Sequence, residues 1–125
     1  FSNARKMATS DVRGKFAKTY MKTLERNSKY ALVLLYPITG RTHQLRVHMN
    51  YIGCSIIGDN KYKLNENFQD NKNFLKLHSF IIKFPNEDFI KAPLPEHFIN
   101  FMKENKLDID LEKIEKDFKK EFKYE

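Results

Sequence analysis

Two arginines, two histidines and a glutamine fall within Gly40-Arg41-Thr42-His43-Gln44-Leu45-Arg46-Val47-His48. At a strand-to-helix junction, backbone N–H groups and a helix N-terminus already favour an anion, and arginines placed there strengthen that preference. Two other chemistries fail on spacing. His43 and His48 are five residues apart, about 140° around a helix, so they do not share a face as metal-binding histidines four apart do. No Glu lies between them, and the chain's single cysteine, Cys54, is distant, which argues against a metal site. Cys54 sits in an apolar stretch, where the expected state is a buried, inert thiol. Gly40 and Gly53 fit no phosphate-loop spacing.

The elements that must position these side chains can be read on either side. Tyr30 to Tyr36 reads YALVLLY, an apolar run of strand length without alternation, which predicts a strand covered on both faces and ending at Pro37. Gly40 is expected to take a backbone conformation closed to other residues, and Thr42 to cap a helix that carries Leu45, Met49 and Ile52 and ends at Gly53. Upstream, Arg5 to Val12 has no usable period and reads as a loop or frayed start. Lys15 to Leu24 alternates, with Ala17, Thr19, Met21 and Thr23 on one face, and the turn Arg26 to Lys29 makes Lys15 to Tyr36 an antiparallel hairpin. Downstream, Leu64 to Asn73 is an Asn-rich loop and Phe74 to Phe84 a long strand covered on both faces. Pro85 to Pro93 is a turn-rich connection, and Pro95 opens a helix to Asn105 carrying Phe98, Ile99 and Met102. Asp108 or Asp110 caps a last helix with an apolar stripe of Leu111, Ile114, Phe118 and Phe122 and a Glu115–Lys119 pair. The expected fold class is α+β, a mostly antiparallel mixed sheet with flanking helices.

The arginine block, followed by Ile57-Gly58-Asp59 and Tyr62, by Leu77-His78-Ser79 and by Ala92-Pro93-Leu94-Pro95, resembles the RluA-type RNA pseudouridine synthases, with the order and spacing of all four blocks in agreement from about Gly14 to Phe101. Within that group the chain is most similar to the large-ribosomal-subunit, RluC-like branch. The resemblance implies that an intact enzyme extrudes a uridine from structured RNA, ribosomal rather than transfer RNA, cleaves its glycosidic bond with an aspartate nucleophile and rejoins the ring through carbon, with no cofactor, metal or membrane involved. It implies that Arg46 pairs with that aspartate, keeping it ionised beside the base, since an opposite charge within ~4–6 Å lowers an aspartate pKa by ~1–3 units. Arg41 then suits either an RNA phosphate or neighbouring carbonyls, His43 and Gln44 either the uracil edge or bracing of the loop, and Leu77 the apolar floor of the pocket.

The family's nucleophile lies in a His-Arg-Leu-Asp block followed by Thr-Ser-Gly, and the 125 residues contain no such block. Asp11, Asp59, Asp70, Asp88, Asp108, Asp110 and Asp117 all lack that context, and Tyr20 matches a strand rather than the family's catalytic tyrosine. The chain thus resembles the C-terminal part of a catalytic domain over residues 5–107, with residues 1–4 read as a tag scar and 108–125 as an added amphipathic helix. Alone it is expected to be inactive, to leave Arg46 facing solvent or a stray anion, and to self-associate through an uncovered apolar edge.

Charge placement agrees with an RNA partner. Residues 1–63 hold 12 Lys/Arg against 3 Asp/Glu, a net of +9, whereas residues 64–125 hold 11 against 13, a net of −2. The basic half contains the arginine block, as a phosphate-backbone partner requires. One cysteine excludes an internal disulfide and suits a reducing cytosol, and no run approaches the ~20 apolar residues of a membrane span.

Overall fold

The computed structural model describes residues 6–12 (backbone only), 14–63, 74–85 and 88–121. The architecture is α+β, and every strand pair among the described residues is antiparallel. A three-stranded sheet runs in the order β1 (Lys6–Val12), β2 (Lys15–Arg26), β3 (Ala31–Pro37), followed by α1 (Gln44–Tyr51). A two-stranded ribbon of β4 (Ile81–Lys83) and β5 (Phe89–Lys91) precedes α2 (Glu96–Glu104) and α3 (Leu111–Glu121).

The β2–β3 hairpin forms where the alternation and the turn place it. Asn27 is the pivot of the turn, its Oδ1 accepting the N–H groups of Lys29 and Tyr30, each at 2.8 Å. Its Nδ2 donates to the Asn105 carbonyl at the end of α2, and the Tyr30 ring meets Phe101 edge-on at 5.1 Å, so the turn is docked on α2. Ala17, Thr19 and Met21 are buried as expected. Thr23 is exposed instead, because the pairing slips by one residue between Thr23 and Glu25 and the alternation ends at that bulge.

Four expectations need correction. The segment expected as a loop, Arg5 to Val12, is a strand from Lys6 onward: pairing with β2, not its own pattern, extends it. Among the described residues only Ile81–Lys83 of the expected Phe74–Phe84 strand pairs, with residues from the supposed turn-rich connection, and Phe74, Ile82 and Phe84 are exposed. The strand β3 includes Pro37 and, among the described residues, pairs only with β2, and Leu32 to Tyr36 are half-buried rather than covered on both faces. A proline is tolerated there because an edge strand does not need every N–H. Finally, Cys54 is exposed. The expected Leu64–Asn73 loop, residues 1–4 and Phe122 lie outside the described residues.

Beneath β3 lies an apolar cavity of about 1500 Å³, walled by Leu45 and Met49 of α1, Leu77, Phe98 and Met102 of α2, and Ile114 of α3. Close-packed interiors hold few voids larger than a water molecule, so this volume marks a core that the described elements do not close. The last helix packs on its own chain: Phe118 meets Phe89 edge-on at 5.6 Å, Lys91 Nζ lies 2.9 Å from Glu115, and Glu115 also pairs with Lys119 as the spacing predicts. Asp110 is its cap, accepting the Lys113 N–H at 3.1 Å.

α1 and α2 end in the same way with different residues. After α1, Gly53 (φ 89°) bonds to the Asn50 carbonyl and Cys54 to that of Met49; after α2, Lys106 (φ 55°) bonds to Lys103 and Leu107 to Met102. This paired closure wants a left-handed residue, usually glycine, at the position Lys106 fills, and a side chain there costs ~1–2 kcal/mol. Lys106→Gly should therefore stabilise the chain by about 1 kcal/mol, read as a raised melting temperature in a thermal scan.

Candidate functional site

α1 begins later than its composition suggests. Thr42 does not cap it: the helix starts at Gln44, preceded by His43 in the left-handed conformation (φ 53°, ψ 26°). Gly40, expected in a special conformation, is not among the residues of positive φ, and a Cβ added to it would meet nothing within 4 Å.

Gln44 does the work that a capping side chain would otherwise do. Its Oε1 accepts from the Thr39 hydroxyl and from Arg41 N (3.0 Å), and its Nε2 donates to the Lys18 carbonyl (2.9 Å) and to Thr19 Oγ1 (3.0 Å). Thr19 Oγ1 lies 2.7 Å from His48 Nδ1, and Thr19, Gln44 and His48 are all buried. Thr19 Oγ1 accepts from Gln44 and keeps a proton and a second lone pair, either of which serves His48 Nδ1. This buried polar chain pins the start of α1 to β2 and fixes the path of the loop between β3 and α1. Of the alternatives open for Gln44, bracing is what its bonds do.

Five residues singled out from the sequence, Arg41, His43, Gln44, Arg46 and Leu77, all line one cavity of about 280 Å³, together with Pro37, Thr39, Gly40 and Leu45. Arg41 donates through Nε to the Phe16 carbonyl at 3.0 Å, the carbonyl option, and the bond uses one of its five N–H groups. His43 Nδ1 lies 3.1 Å from Tyr62 Oη, with the two rings edge-on at 5.7 Å.

Arg46 does not stand where it was expected. Its guanidinium forms a two-bond fork with a carboxylate of this chain, Nε to Asp59 Oδ2 at 2.9 Å and Nη2 to Asp59 Oδ1 at 2.7 Å. The Asp59 side chain is fully buried and that of Arg46 one-fifth exposed. A sealed carboxylate needs donors: Oδ1 also accepts the N–H groups of Lys61 (3.0 Å) and Tyr62 (2.9 Å), and Tyr62 places its ring 5.2 Å from the Arg46 guanidinium carbon. Burial pushes the Asp59 carboxyl up, but the Arg46 bonds and the two backbone N–H groups outweigh it and hold it below the usual carboxylate range. The same pairing raises Arg46 further above an already high value. Asp59 is the functional candidate that sequence reading missed. Its signal was the Gly58-Asp59 block with Tyr62 three residues on, in which the aspartate was read only as a landmark.

Known proteins bear on what this site belongs to. Residues 2–51 match the family model for RNA pseudouridylate synthase. The chain is 35% identical over 112 residues to ribosomal large subunit pseudouridine synthase C of Buchnera aphidicola, covering 82% of this chain and 36% of that protein. The chain belongs to the RNA pseudouridylate synthase family. It is also 39% identical over 95 residues to ribosomal large subunit pseudouridine synthase C of Rickettsia bellii (71% of this chain, 31% of that protein). With ribosomal large subunit pseudouridine synthase D of Borreliella burgdorferi it shares 35% over 121 residues (90% and 36%). It spans about a third of the length of these relatives. The RluA-type, RluC-like fragment implied by the four sequence blocks is what these matches describe.

Proposed function

We propose that this chain forms one wall of the active site of an RNA uridine-to-pseudouridine isomerase acting on large-subunit ribosomal RNA. The observation that carries the reading is the gathering of Arg41, His43, Gln44, Arg46 and Leu77 around one cavity in the basic half of the chain. In this reading Leu77 supplies an apolar floor for an extruded uracil, Arg41 and the basic half hold phosphates, and Arg46 faces a nucleophilic aspartate that comes from outside the 125 residues. The printed names of the relatives support ribosomal RNA as the partner.

Alone, the chain should release no tritium from RNA labelled at uridine C5, since it holds Arg46 without the nucleophile; release above a blank would contradict this. It should bind RNA weakly, without sequence preference, and with an affinity that falls steeply between low and physiological salt as counterions are released. A titration with no salt dependence favours a second reading, a structural piece that only completes the sheet of a larger domain, to which the 1500 Å³ apolar cavity also points. Self-association through that apolar wall follows from either reading, and sedimentation over a concentration series tests it.

A further inference from the structure

Asp59 takes no part in the reaction as just outlined, yet it is the most heavily bonded carboxylate at the site. It accepts from Arg46 Nε, Arg46 Nη2, Lys61 N and Tyr62 N. An arginine carries five N–H groups in one plane. The fork to Asp59 takes one on Nε and one on Nη2, which leaves three, and among the described residues these have no hydrogen-bond partner. With the Nε/Nη2 edge fixed and the Tyr62 ring 5.2 Å from the guanidinium carbon, the adjoining Nη1/Nη2 edge is the one left to offer a ligand. Arg46 lines the 280 Å³ cavity.

We propose that Asp59 is a positioning residue: it clamps Arg46 through Nε and Nη2 so that the Nη1/Nη2 edge of the guanidinium serves a second carboxylate at the cavity, and it neutralises the arginine so that the site holds a directed donor instead of a free cation. The proposal rests on the synthase reading above. Two consequences separate the clamp from simple ion pairing. A compensated guanidinium competes poorly for RNA phosphate, which keeps Arg46 for the carboxylate rather than the backbone. It also depresses the pKa of that second carboxylate less than a bare arginine would, leaving it ionised without removing its nucleophilicity.

Asp59→Asn isolates the clamp from the turn. The amide oxygen still accepts from Lys61 N and Tyr62 N, whereas the amide nitrogen meets an Arg46 N–H, donor against donor. In the ¹⁵N-labelled chain, the Arg46 Nε–H signal, assigned by its loss in Arg46→Lys, should exchange with water about ten-fold more slowly than that of an exposed arginine, and Asp59→Asn should remove the protection. Equal exchange in the two proteins overturns the clamp.

The catalytic half is read in a chimaera in which this chain replaces the matching segment of the Buchnera protein. There Asp59→Asn should lower kcat about ten-fold while KM stays within about two-fold, and in an Arg46→Lys background it should cost nothing further. Losses that multiply in the double variant mean that Asp59 acts independently of Arg46 and overturn the positioning role. A chimaera that melts cooperatively but is inactive with the wild-type chain counts against the synthase reading and removes the catalytic half with it. The clamp is decided by the exchange measurement in either case.

Discussion

Gly58→Ala should destabilise the chain by about 3 kcal/mol or more, the sum of left-handed strain and overpacking. Gly58 has φ 84°, and a Cβ there would lie 2.4 Å from the Phe74 carbonyl oxygen, against backbone that cannot swing aside as a flexible side chain would. The contact is tied in place by the Lys76 N–H bond to the Ile57 carbonyl at 2.9 Å, and it precedes Asp59 by one residue. Loss of the contact therefore disturbs the Arg46 partner as well as the fold. Gly53→Ala is the control: φ is 89°, but nothing lies within 4 Å of the added carbon, so only the conformational cost of about 1–2 kcal/mol applies. Urea unfolding of both variants gives the difference, and equal losses would mean that the Phe74 approach carries no weight.

Arg46→Ala should cost about 2–4 kcal/mol near neutral pH, because it strands a fully buried carboxylate. Breaking a buried pair costs ~3–5 kcal/mol, and the lower range allows for water entering beside a side chain that is one-fifth exposed. The pH dependence carries a sign. In the wild-type chain the Asp59 carboxyl titrates below its unfolded value. The pair's stabilisation is therefore complete above the unfolded carboxylate pKa of about 4 and is lost as pH falls through the lower native value. In Arg46→Ala, burial is opposed only by two backbone N–H groups, so protonation relieves the variant and the gap between the two proteins narrows in acid. Chemical denaturation at pH values from neutral to acid tests this, and a gap that widens in acid would refute it. Loss of turnover in an Arg46→Ala enzyme cannot by itself be assigned to chemistry; Arg46→Lys, which keeps a cation near Asp59, is the fairer variant for that purpose.

Legibility in the sequence followed the physics of each element. The β2–β3 hairpin, α2 and α3 were readable because local alternation, an Asn-bearing turn, a proline at a helix start and an aspartate cap all agree with the tertiary outcome. The strand β1 was not, since its pairing is supplied by β2, and the Phe74 to Phe84 run was overread because apolar residues of strand length do not say whether a partner strand exists. At the site, the apolar spacing of Leu45 and Met49 was visible, and both line the large cavity. The helix face turned to β2 is polar, Gln44 and His48, and buried polar residues resemble surface ones until their bonds to Thr19 and the Lys18 carbonyl are seen. The Arg46–Asp59 fork spans thirteen residues, and pattern alone cannot pair charges across such a gap.

The open volume beneath β3 should be visible in a calorimeter. Unfolding heat capacity scales with the apolar surface newly given to water, about 12–15 cal/mol/K per residue for well-filled domains. The described elements leave a 1500 Å³ apolar cavity unclosed, and whatever part of its wall meets water in the folded chain adds nothing to the heat capacity on melting. The heat-capacity increment should fall below the roughly 1.5–1.9 kcal/mol/K of a filled 125-residue domain. The stability curve is then unusually flat with temperature, and cold costs this chain little more than mild warmth.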